Sequence, residues 1–175
     1  MNNEIKPKIR FKGFTNTWEQ RKVESVFSYE RPDKYIVSSD EYSDLCKIPV
    51  LTANKAFILG YTNETNTYNK KSIIFDDFTL DCKYVDFPYM VKSSAIKILT
   101  IKDKKIDDLR FGFERLSNTK IEIMGHARHY ISVVQPTLVF MPKIDEQKQI
   151  AKLFEEIDNL ITLHQRKHYI KKGSK

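Results

Sequence analysis

The sequence predicts an α+β fold, in which a globular domain with a mixed or antiparallel β-sheet and short helices precedes one long C-terminal coiled-coil helix. The first observation is a set of short β-rich segments bounded by turn residues, at 47–51, 57–61, 72–75 and 95–101. The second is the helical spacing of apolar residues from Pro142 to Lys172. We therefore expect a domain at 1–142 and a helical region at 143–175, a division that suits a chain of 175 residues.

The first 30 residues predict an extended basic arm followed by a short helix. Thr17 and Gln20 are three residues apart, as in a capping box, where side chains satisfy the backbone N–H groups at the start of a helix. We therefore expect a helix that runs through Val23 and Phe27. The turn sequence RPD at 31–33 ends this helix, because proline cannot continue it.

The second half of the domain predicts one helix and two further strands. Residues 105–117 place apolar side chains at helical spacing, although Gly112 weakens the helix. The segments near 119–124 and 131–141 have the composition of strands. Asp145 follows them and is expected to cap the long helix.

The long helix carries an apolar stripe that the globular domain is too short to cover. A helix of about 27 residues extends roughly 40 Å at 1.5 Å per residue. Part of the stripe should therefore meet another helix. The apolar seam, which is the expected dimer or scaffold interface, consists of Ile150, Leu153, Phe154, Ile157, Leu160 and Ile161.

The composition argues against a membrane-spanning chain and leaves nucleic-acid binding open. The net charge of +7 attracts polyanions, but a solvated basic surface has the same composition. No apolar run approaches membrane-spanning length, and the chain opens without a signal-peptide pattern. Cys46 and Cys82 lie far apart in the sequence, so we expect free thiols and a cytoplasmic protein.

Residues 86–89 (DFPY) nearly match the D/N-P-P-Y/F tetrapeptide of amino-methyltransferases, in which the aromatic residue stacks on a flipped base. Phe87 stands where that pattern has proline. The five glycines of the chain form no G-x-G turn that could hold a methyl donor. A strand-to-turn junction with an aromatic residue in the core is therefore the favoured interpretation.

A cluster of acids with a lysine is the second candidate for chemistry. Asp76 and Asp81 with Lys83 resemble the pattern of Mg²⁺-dependent nucleases, in which two carboxylates hold the metal. The acids are unusually close in sequence, and an acidic turn beside a lysine is common. The histidine pairs at 126/129 and 164/168 each lack a third metal ligand. We expect no metal and no cofactor, and the nuclease remains an alternative.

Four segments together resemble the specificity subunits of type I restriction–modification systems, in the same order and over nearly the whole chain. The first resembles the opening of these subunits, the second and third one class of their target recognition domains, and the fourth their closing strand and conserved spacer helix. The segments are 7–27 (PKIRFKGFTNTWEQRKVESVF), 48–65 (IPVLTANKAFILGYTNET), 72–99 (SIIFDDFTLDCKYVDFPYMVKSSAIKIL) and 126–167 (HARHYISVVQPTLVFMPKIDEQKQIAKLFEEIDNLITLHQRK).

The resemblance implies sequence-specific recognition of double-stranded DNA without catalysis. Such subunits read a split site, hold methyltransferase (modification) subunits on their paired helices, and are joined by a translocating restriction subunit. DNA contacts are expected from basic and polar residues of the matching segments. These candidates are Lys55, Lys70, Lys71, Lys83, Lys92, Ser93, His126, Arg128 and His129.

The chain departs from the family pattern in the number of its parts. It has one recognition domain and one helical region, where these subunits usually have two of each. We therefore expect a half subunit that reads one half-site and pairs with a second copy through its helix to form a homodimer. The remaining alternative is a structural coiled-coil assembly protein that is indifferent to DNA.

Overall fold

In the part of the chain that the structure describes, the fold consists of three small β-sheets, two short α-helices and a long C-terminal helix. The computed structural model describes residues 4–122 and 128–173. In chain order the elements are β1 (Glu4–Ile5), β2 (Trp18–Lys22), α1 (Val23–Val26), β3 (Phe27–Glu30), β4 (Ile48–Leu51), β5 (Ile58–Thr62), β6 (Ser72–Asp76), β7 (Cys82–Val85), β8 (Met90–Val91), β9 (Ile96–Ile101), α2 (Leu109–Ser117), β10 (Leu138–Met141) and α3 (Ile144–Gly173). The strand orders are β1-β2-β10, β3-β9-β6-β7 and β5-β4-β8.

The four-stranded sheet lies at the centre of the domain and is buried on both faces. Alternate residues of β9 point to opposite faces, as in any strand. Ile96 and Ile98 pack in one hydrophobic cluster with Tyr89, whereas Leu99 packs in the other with Phe111 of α2. The four β-rich segments of the sequence correspond to β4, β5, β6 and β9, so these predictions are confirmed.

The prediction of a helix that starts at Thr17 is wrong, because the residues that follow Thr17 form strand β2. β2 pairs antiparallel with both β1 and β10, and Trp18 at its start is buried. Pairing on two sides satisfies more backbone groups than a capping box does. The predicted helix is reduced to the single turn α1, where Val23 is fully buried, and Phe27 already belongs to β3.

Helix α2 begins four residues later than predicted. Asp108 is its N-cap, and the Asp108 side chain accepts a hydrogen bond from the backbone N–H of Phe111 at 2.8 Å. The predicted strand near 119–124 is not formed at 119–122, and the rest of it lies outside the described residues.

The prediction of a strand at 131–141 is wrong for the first half of that segment. A π-helical turn at Tyr130–Val134 precedes β10. The N–H of Val134 donates to the carbonyl of His129 at 3.0 Å, which closes this turn. The β-branched residues favour a strand locally. Asp77 accepts hydrogen bonds from the N–H groups of His129 and Tyr130, and these tertiary contacts outweigh that preference.

Helix α3 begins at Ile144, so Asp145 lies inside its first turn and is not the cap. Its 30 residues extend about 45 Å. Gln147 and Ala151 are buried against the domain, whereas every side chain from 155 to 165 is exposed. No helix in the described part of the chain is long and apolar enough to cross a membrane.

Gln147 joins the start of α3 to the domain through a buried amide. Its side-chain oxygen accepts the N–H of Asp108 at 2.9 Å. Its side-chain nitrogen donates to the carbonyls of Ile106 at 3.0 Å and Pro142 at 2.8 Å. One side chain thereby connects α3, the start of α2 and the end of β10.

Two carboxylates reinforce the same junction. Glu146 accepts two hydrogen bonds from Arg10, at 2.8 and 2.6 Å, and one from the Trp18 indole at 3.1 Å. Asp107 accepts two from Arg21, at 2.7 and 2.9 Å. Bidentate arginine–carboxylate pairs fix orientation as well as distance. The N-terminal arm therefore holds the start of α3, and β2 holds the residues just before α2.

Candidate nucleic-acid interface

Three strand ends meet at one edge of the central sheet and bring charged residues together. Arg31 follows the end of β3, Asp77 follows the end of β6, and Lys97 is the second residue of β9. β3 and β6 both pair antiparallel with β9, so β9 begins where they end. The sheet register therefore places these three residues side by side.

Asp77 and Lys97 form a buried ion pair at this edge. Lys97 Nζ lies 2.8 Å from Asp77 Oδ2, and the two side chains are 5% and 3% exposed. Asp77 Oδ1 accepts the N–H of Tyr130 at 2.7 Å, and its main-chain carbonyl accepts the N–H of His129 at 2.9 Å. Asp77 thus fixes the backbone immediately after Arg128.

A cavity of about 320 Å³ opens at the ion pair. We name it the Arg128 cavity, and it is lined by Tyr29, Arg31, Asp77, Lys97, Arg128, Ile131 and Ser132. Three of the lining residues are cationic and one is anionic, which leaves an excess of two positive charges. Such a concave positive surface favours an anionic ligand.

Arg128 stands exposed at the rim of the cavity with its guanidinium held from two sides. Its Cζ lies 5.8 Å from the centre of the Phe78 ring, within the range of a cation–π contact. Its terminal nitrogen lies 3.5 Å from the Ser94 hydroxyl. The side chain is therefore partly oriented before any ligand arrives.

Tyr130 is fully buried behind the cavity. Its ring packs edge-on against Tyr29 at 5.2 Å and Phe75 at 5.4 Å. Burial, with smaller contributions from Tyr29 and Asp77, raises the pKa of Tyr130, so the hydroxyl stays protonated. This buried hydroxyl has no hydrogen-bond partner in the described part of the chain.

Replacing Tyr130 by phenylalanine is expected to raise the free energy of unfolding by about 1 kcal/mol, because an unpaired buried hydroxyl costs about 1–3 kcal/mol. The matched control is Tyr89→Phe, since the Tyr89 hydroxyl lies 2.7 Å from that of Ser72. That substitution should lower the free energy of unfolding by about 1 kcal/mol. Urea denaturation measures both, and a less stable Tyr130→Phe variant would contradict the assignment.

The predicted DNA-contacting residues are distributed over more than one surface. Arg128 lines the cavity, whereas Lys70 and Lys71 are exposed just before β6, at the other end of that strand. At about 3.3 Å per residue, these lysines lie roughly 20 Å from Asp77. His129 is only 2% exposed, so its ring is interior. His126 lies outside the described residues.

The remaining predicted residues occupy three other positions. Lys55 is exposed in the turn between β4 and β5, and Ser93 is exposed just before β9. Lys92 is half-buried and forms an ion pair with Asp40. Lys83 lines a separate groove of about 550 Å³ between the domain and α3, together with Arg110.

The acidic cluster forms the turn between β6 and β7. Asp76 Oδ1 accepts the N–H groups of Phe78 and Thr79, at 2.9 and 3.0 Å. Asp81 Oδ2 accepts the Thr79 hydroxyl at 3.1 Å. Among the described residues, no three acids, histidines or cysteines are grouped as metal ligands. The contacts are those of a hairpin turn, as the acidic-turn interpretation predicts.

The DFPY segment is a junction whose tyrosine belongs to the core. Tyr89 is fully buried, and its ring packs against Tyr68 at a centroid distance of 5.5 Å. Burial also raises the pKa of Tyr89, although its hydrogen bond to Ser72 acts in the opposite direction. The favoured interpretation of this segment is confirmed.

Of the seven residues that line the Arg128 cavity, only Arg128 was predicted from the sequence to contact DNA. Lys97 carries a usable signal, because in IKILTI at 96–101 it occupies the same strand phase as the buried Leu99. A lysine at a core-facing position requires an acidic partner. Tyr29 and Arg31 carry no comparable signal, because only the sheet register brings them to the cavity.

The predicted seam of α3 is divided between the domain and the surface. Ile150 and Phe154 are half-buried against the domain. The other four members are between 39% and 66% exposed, and they are Leu153, Ile157, Leu160 and Ile161. An exposed apolar stripe therefore remains along the helix, although Ile157 also lines the groove between the domain and α3.

Comparisons with known proteins agree over most of the chain. The family model described as "Type I restriction modification DNA specificity domain" matches residues 15–171. The "Type I restriction enzyme EcoR124I/EcoR124II specificity subunit" of Escherichia coli is 38% identical over 142 residues. That match covers 78% of this chain and 35% of the relative, so the chain spans about a third of the relative's length.

Solved structures show the same fold. The type I restriction-modification S subunit from M. genitalium superposes with a TM-score of 0.71 at 17% identity, covering 89% of this chain and 42% of that one. The HsdS subunit from Thermoanaerobacter tengcongensis gives a TM-score of 0.50 at 11% identity, covering 94% and 42%. The α+β fold with a long C-terminal helix, predicted from the sequence, is confirmed.

Proposed function

The chain belongs to the family of type I restriction modification DNA specificity domains, and from that premise we propose that it reads one half of a split duplex site. Residues 1–142 act as the target recognition domain. Residues 143–175 act as the coiled-coil helix that sets the position of a second recognition domain. The chain itself supplies DNA specificity and no catalysis.

The observation that carries this proposal is the positive Arg128 cavity on the recognition domain. DNA presents a dense row of phosphates, so cationic surfaces supply much of the affinity and base edges supply the specificity. The predicted basic residues outside the cavity, Lys55, Lys70, Lys71, Lys83 and Lys92, extend the contact as phosphate ligands, with Ser93 as a polar neighbour of the cavity rim.

Catalysis belongs to partner subunits in this proposal. The curated relative is named as the specificity subunit of a type I restriction enzyme. We infer the same kind of assembly here, with modification subunits on α3 and a restriction subunit that joins them. The acids of the β6–β7 turn and Tyr89 serve the fold, which supports a chain that does not cleave or methylate DNA on its own.

Selection of bound sequences from random duplexes tests the DNA proposal. The purified chain, alone and with its modification subunit, should enrich a short consensus over successive rounds. A pool that stays random in both arms would contradict sequence-specific recognition. The chain heated past its unfolding transition is the control, because unfolded basic chains bind DNA without preference.

We propose further that α3 pairs with α3 of a second copy. Its exposed stripe consists of Leu153, Ile157, Leu160 and Ile161, and Leu163 beside it is also exposed. Monomeric proteins rarely leave a long contiguous apolar strip in water. A two-fold axis between the helices covers both strips with the same contacts. In an antiparallel pair, the basic end of one helix lies near Glu155 and Glu156 of the other.

Such a dimer carries two identical recognition domains related by a two-fold axis. The preferred DNA site then consists of two identical inverted halves. The consensus from the selection experiment reports this directly, because a dimer enriches an inverted repeat with a fixed spacer.

A further inference from the structure

We propose that the Arg128 cavity is the base-reading site of the domain, in which Arg128 recognises a guanine edge and Arg31 binds an adjacent backbone phosphate. This inference rests on the proposed DNA-binding function and specifies where and how it is carried out. This assignment gives a role in DNA recognition to four further lining residues: Tyr29, Arg31, Lys97 and Asp77.

The charges of the cavity divide into a neutral floor and a positive rim. Lys97 and Asp77 neutralise each other at 2.8 Å in the interior. The excess charge therefore lies on Arg31 and Arg128 at the rim. Arg31 also pairs with Asp33 at 3.1 Å, but both side chains are more than half exposed. An exposed pair of this kind is weak, so a phosphate can replace Asp33.

Arg128 has the chemistry and the support that base reading requires. A guanidinium presents a planar fork of donors that matches O6 and N7 of guanine in the major groove. Sequence discrimination further requires that the fork has a fixed direction. The Phe78 ring and the Ser94 hydroxyl hold the guanidinium, and Asp77 holds the two following backbone N–H groups.

The π-helical turn that follows Arg128 supports the same assignment. Such turns are rare and occur frequently at functional sites. This one is anchored by the buried ion pair, since Asp77 Oδ1 accepts the N–H of Tyr130 at 2.7 Å. The ion pair is therefore a positioning device: it sets where Arg128 leaves the backbone and does not touch the DNA.

Apolar surface completes the cavity. Ile131 is largely exposed and Tyr29 is partly exposed, and both line the cavity. Apolar side chains in a DNA interface contact the thymine methyl group and sugar carbons. The cavity thus combines a directed fork, a phosphate ligand and an apolar wall.

Binding titrations with cavity variants test this assignment. The probes are a duplex carrying the selected consensus and a scrambled duplex of the same composition. Arg128→Ala should weaken binding to the consensus by about 10- to 100-fold and leave the scrambled duplex nearly unchanged. It should also become indifferent to exchange of one G·C pair. Arg31→Ala should weaken both duplexes alike and make the salt dependence shallower by about one phosphate.

The matched control is Lys102→Ala, since Lys102 is exposed and follows β9 at the end away from the cavity. It should bind both duplexes like the wild type. Asp77→Asn tests positioning, because it should relax the same G·C preference as Arg128→Ala. A general loss of stability would instead weaken all sequences. Thermal unfolding of each variant confirms that Arg128→Ala and Arg31→Ala remain folded.

The outcomes separate this inference from the function on which it rests. If the wild type prefers the consensus and Arg128→Ala does too, the cavity assignment is wrong and the DNA function stands. If Arg128→Ala weakens both duplexes equally, Arg128 binds phosphate and the guanine assignment is wrong. If the wild type shows no preference for any selected sequence, the proposed function itself is wrong.

Discussion

Replacing Ile157 and Leu160 together by aspartate is expected to convert a dimer of the chain into a monomer. Both side chains lie on the uncovered stripe of α3, at 39% and 66% exposure. In a helix pair the substitutions bury four carboxylates without partners, and each buried unpaired charge costs several kcal/mol. Sedimentation velocity at tens of micromolar should give twice the chain mass of 20.7 kDa for the wild type and one chain mass for the variant.

The control for this experiment is Lys148→Asp, which changes the net charge by the same two units. Lys148 is exposed, and at about 100° per residue it lies on the opposite side of the helix from the stripe. The Lys148→Asp variant should therefore remain a dimer. A wild type that sediments as a monomer at these concentrations would contradict the pairing of α3.

Gln147→Ala is expected to lower the free energy of unfolding by about 3 kcal/mol. The substitution removes the partners of the Asp108 N–H and of the carbonyls of Ile106 and Pro142. Each buried polar group left without a partner costs about 1–3 kcal/mol, and relaxation of the junction recovers part of the sum. The measurement is urea denaturation followed by circular dichroism.

Gln149 provides a matched comparison, because it is the same residue type on the same helix and is exposed. Gln149→Ala should change the free energy of unfolding by less than about 0.5 kcal/mol. Equal effects of the two substitutions would show that the junction between α3 and the domain is not held by the Gln147 amide.

The elements that the sequence predicted well are those with a strong local pattern. The β-rich segments correspond to β4, β5, β6 and β9, and the segment with apolar residues at helical spacing corresponds to α3. These elements were predictable because residues buried on a sheet or along one helix face recur at a fixed spacing in the sequence. The proposed function came from the resemblance of the ordered segments to a known family, because no single motif in the chain indicates it.

The errors occurred where tertiary contacts outweigh local preference. Thr17 and Gln20 fit a capping box, but their neighbours pair with β10, more than 100 residues later in the chain. The β-branched residues at 131–134 predict a strand, but they form a π-helical turn instead. Its first residue, Tyr130, donates its N–H to the Asp77 side chain. Neither partner is visible from the local sequence.

The candidate site was only partly predictable for the same reason. Arg128 was identified because it is a basic residue of a segment that resembles the family. Arg31 and Asp77 reach the cavity through the register of β3 and β6 on β9, which no local pattern encodes. His129, which was predicted to contact DNA with Arg128, is interior and donates its backbone N–H to the carbonyl of Asp77.

The most direct test of the account compares the affinity of the wild-type chain for two duplexes of equal length and composition. One carries the selected consensus and the other a scrambled sequence, and both are titrated at about 0.15 M salt. Three recognised base pairs at about 1–3 kcal/mol each predict a preference of at least about 100-fold for the consensus. Equal affinities that fall together as salt rises would identify a purely electrostatic binder and contradict a DNA specificity domain.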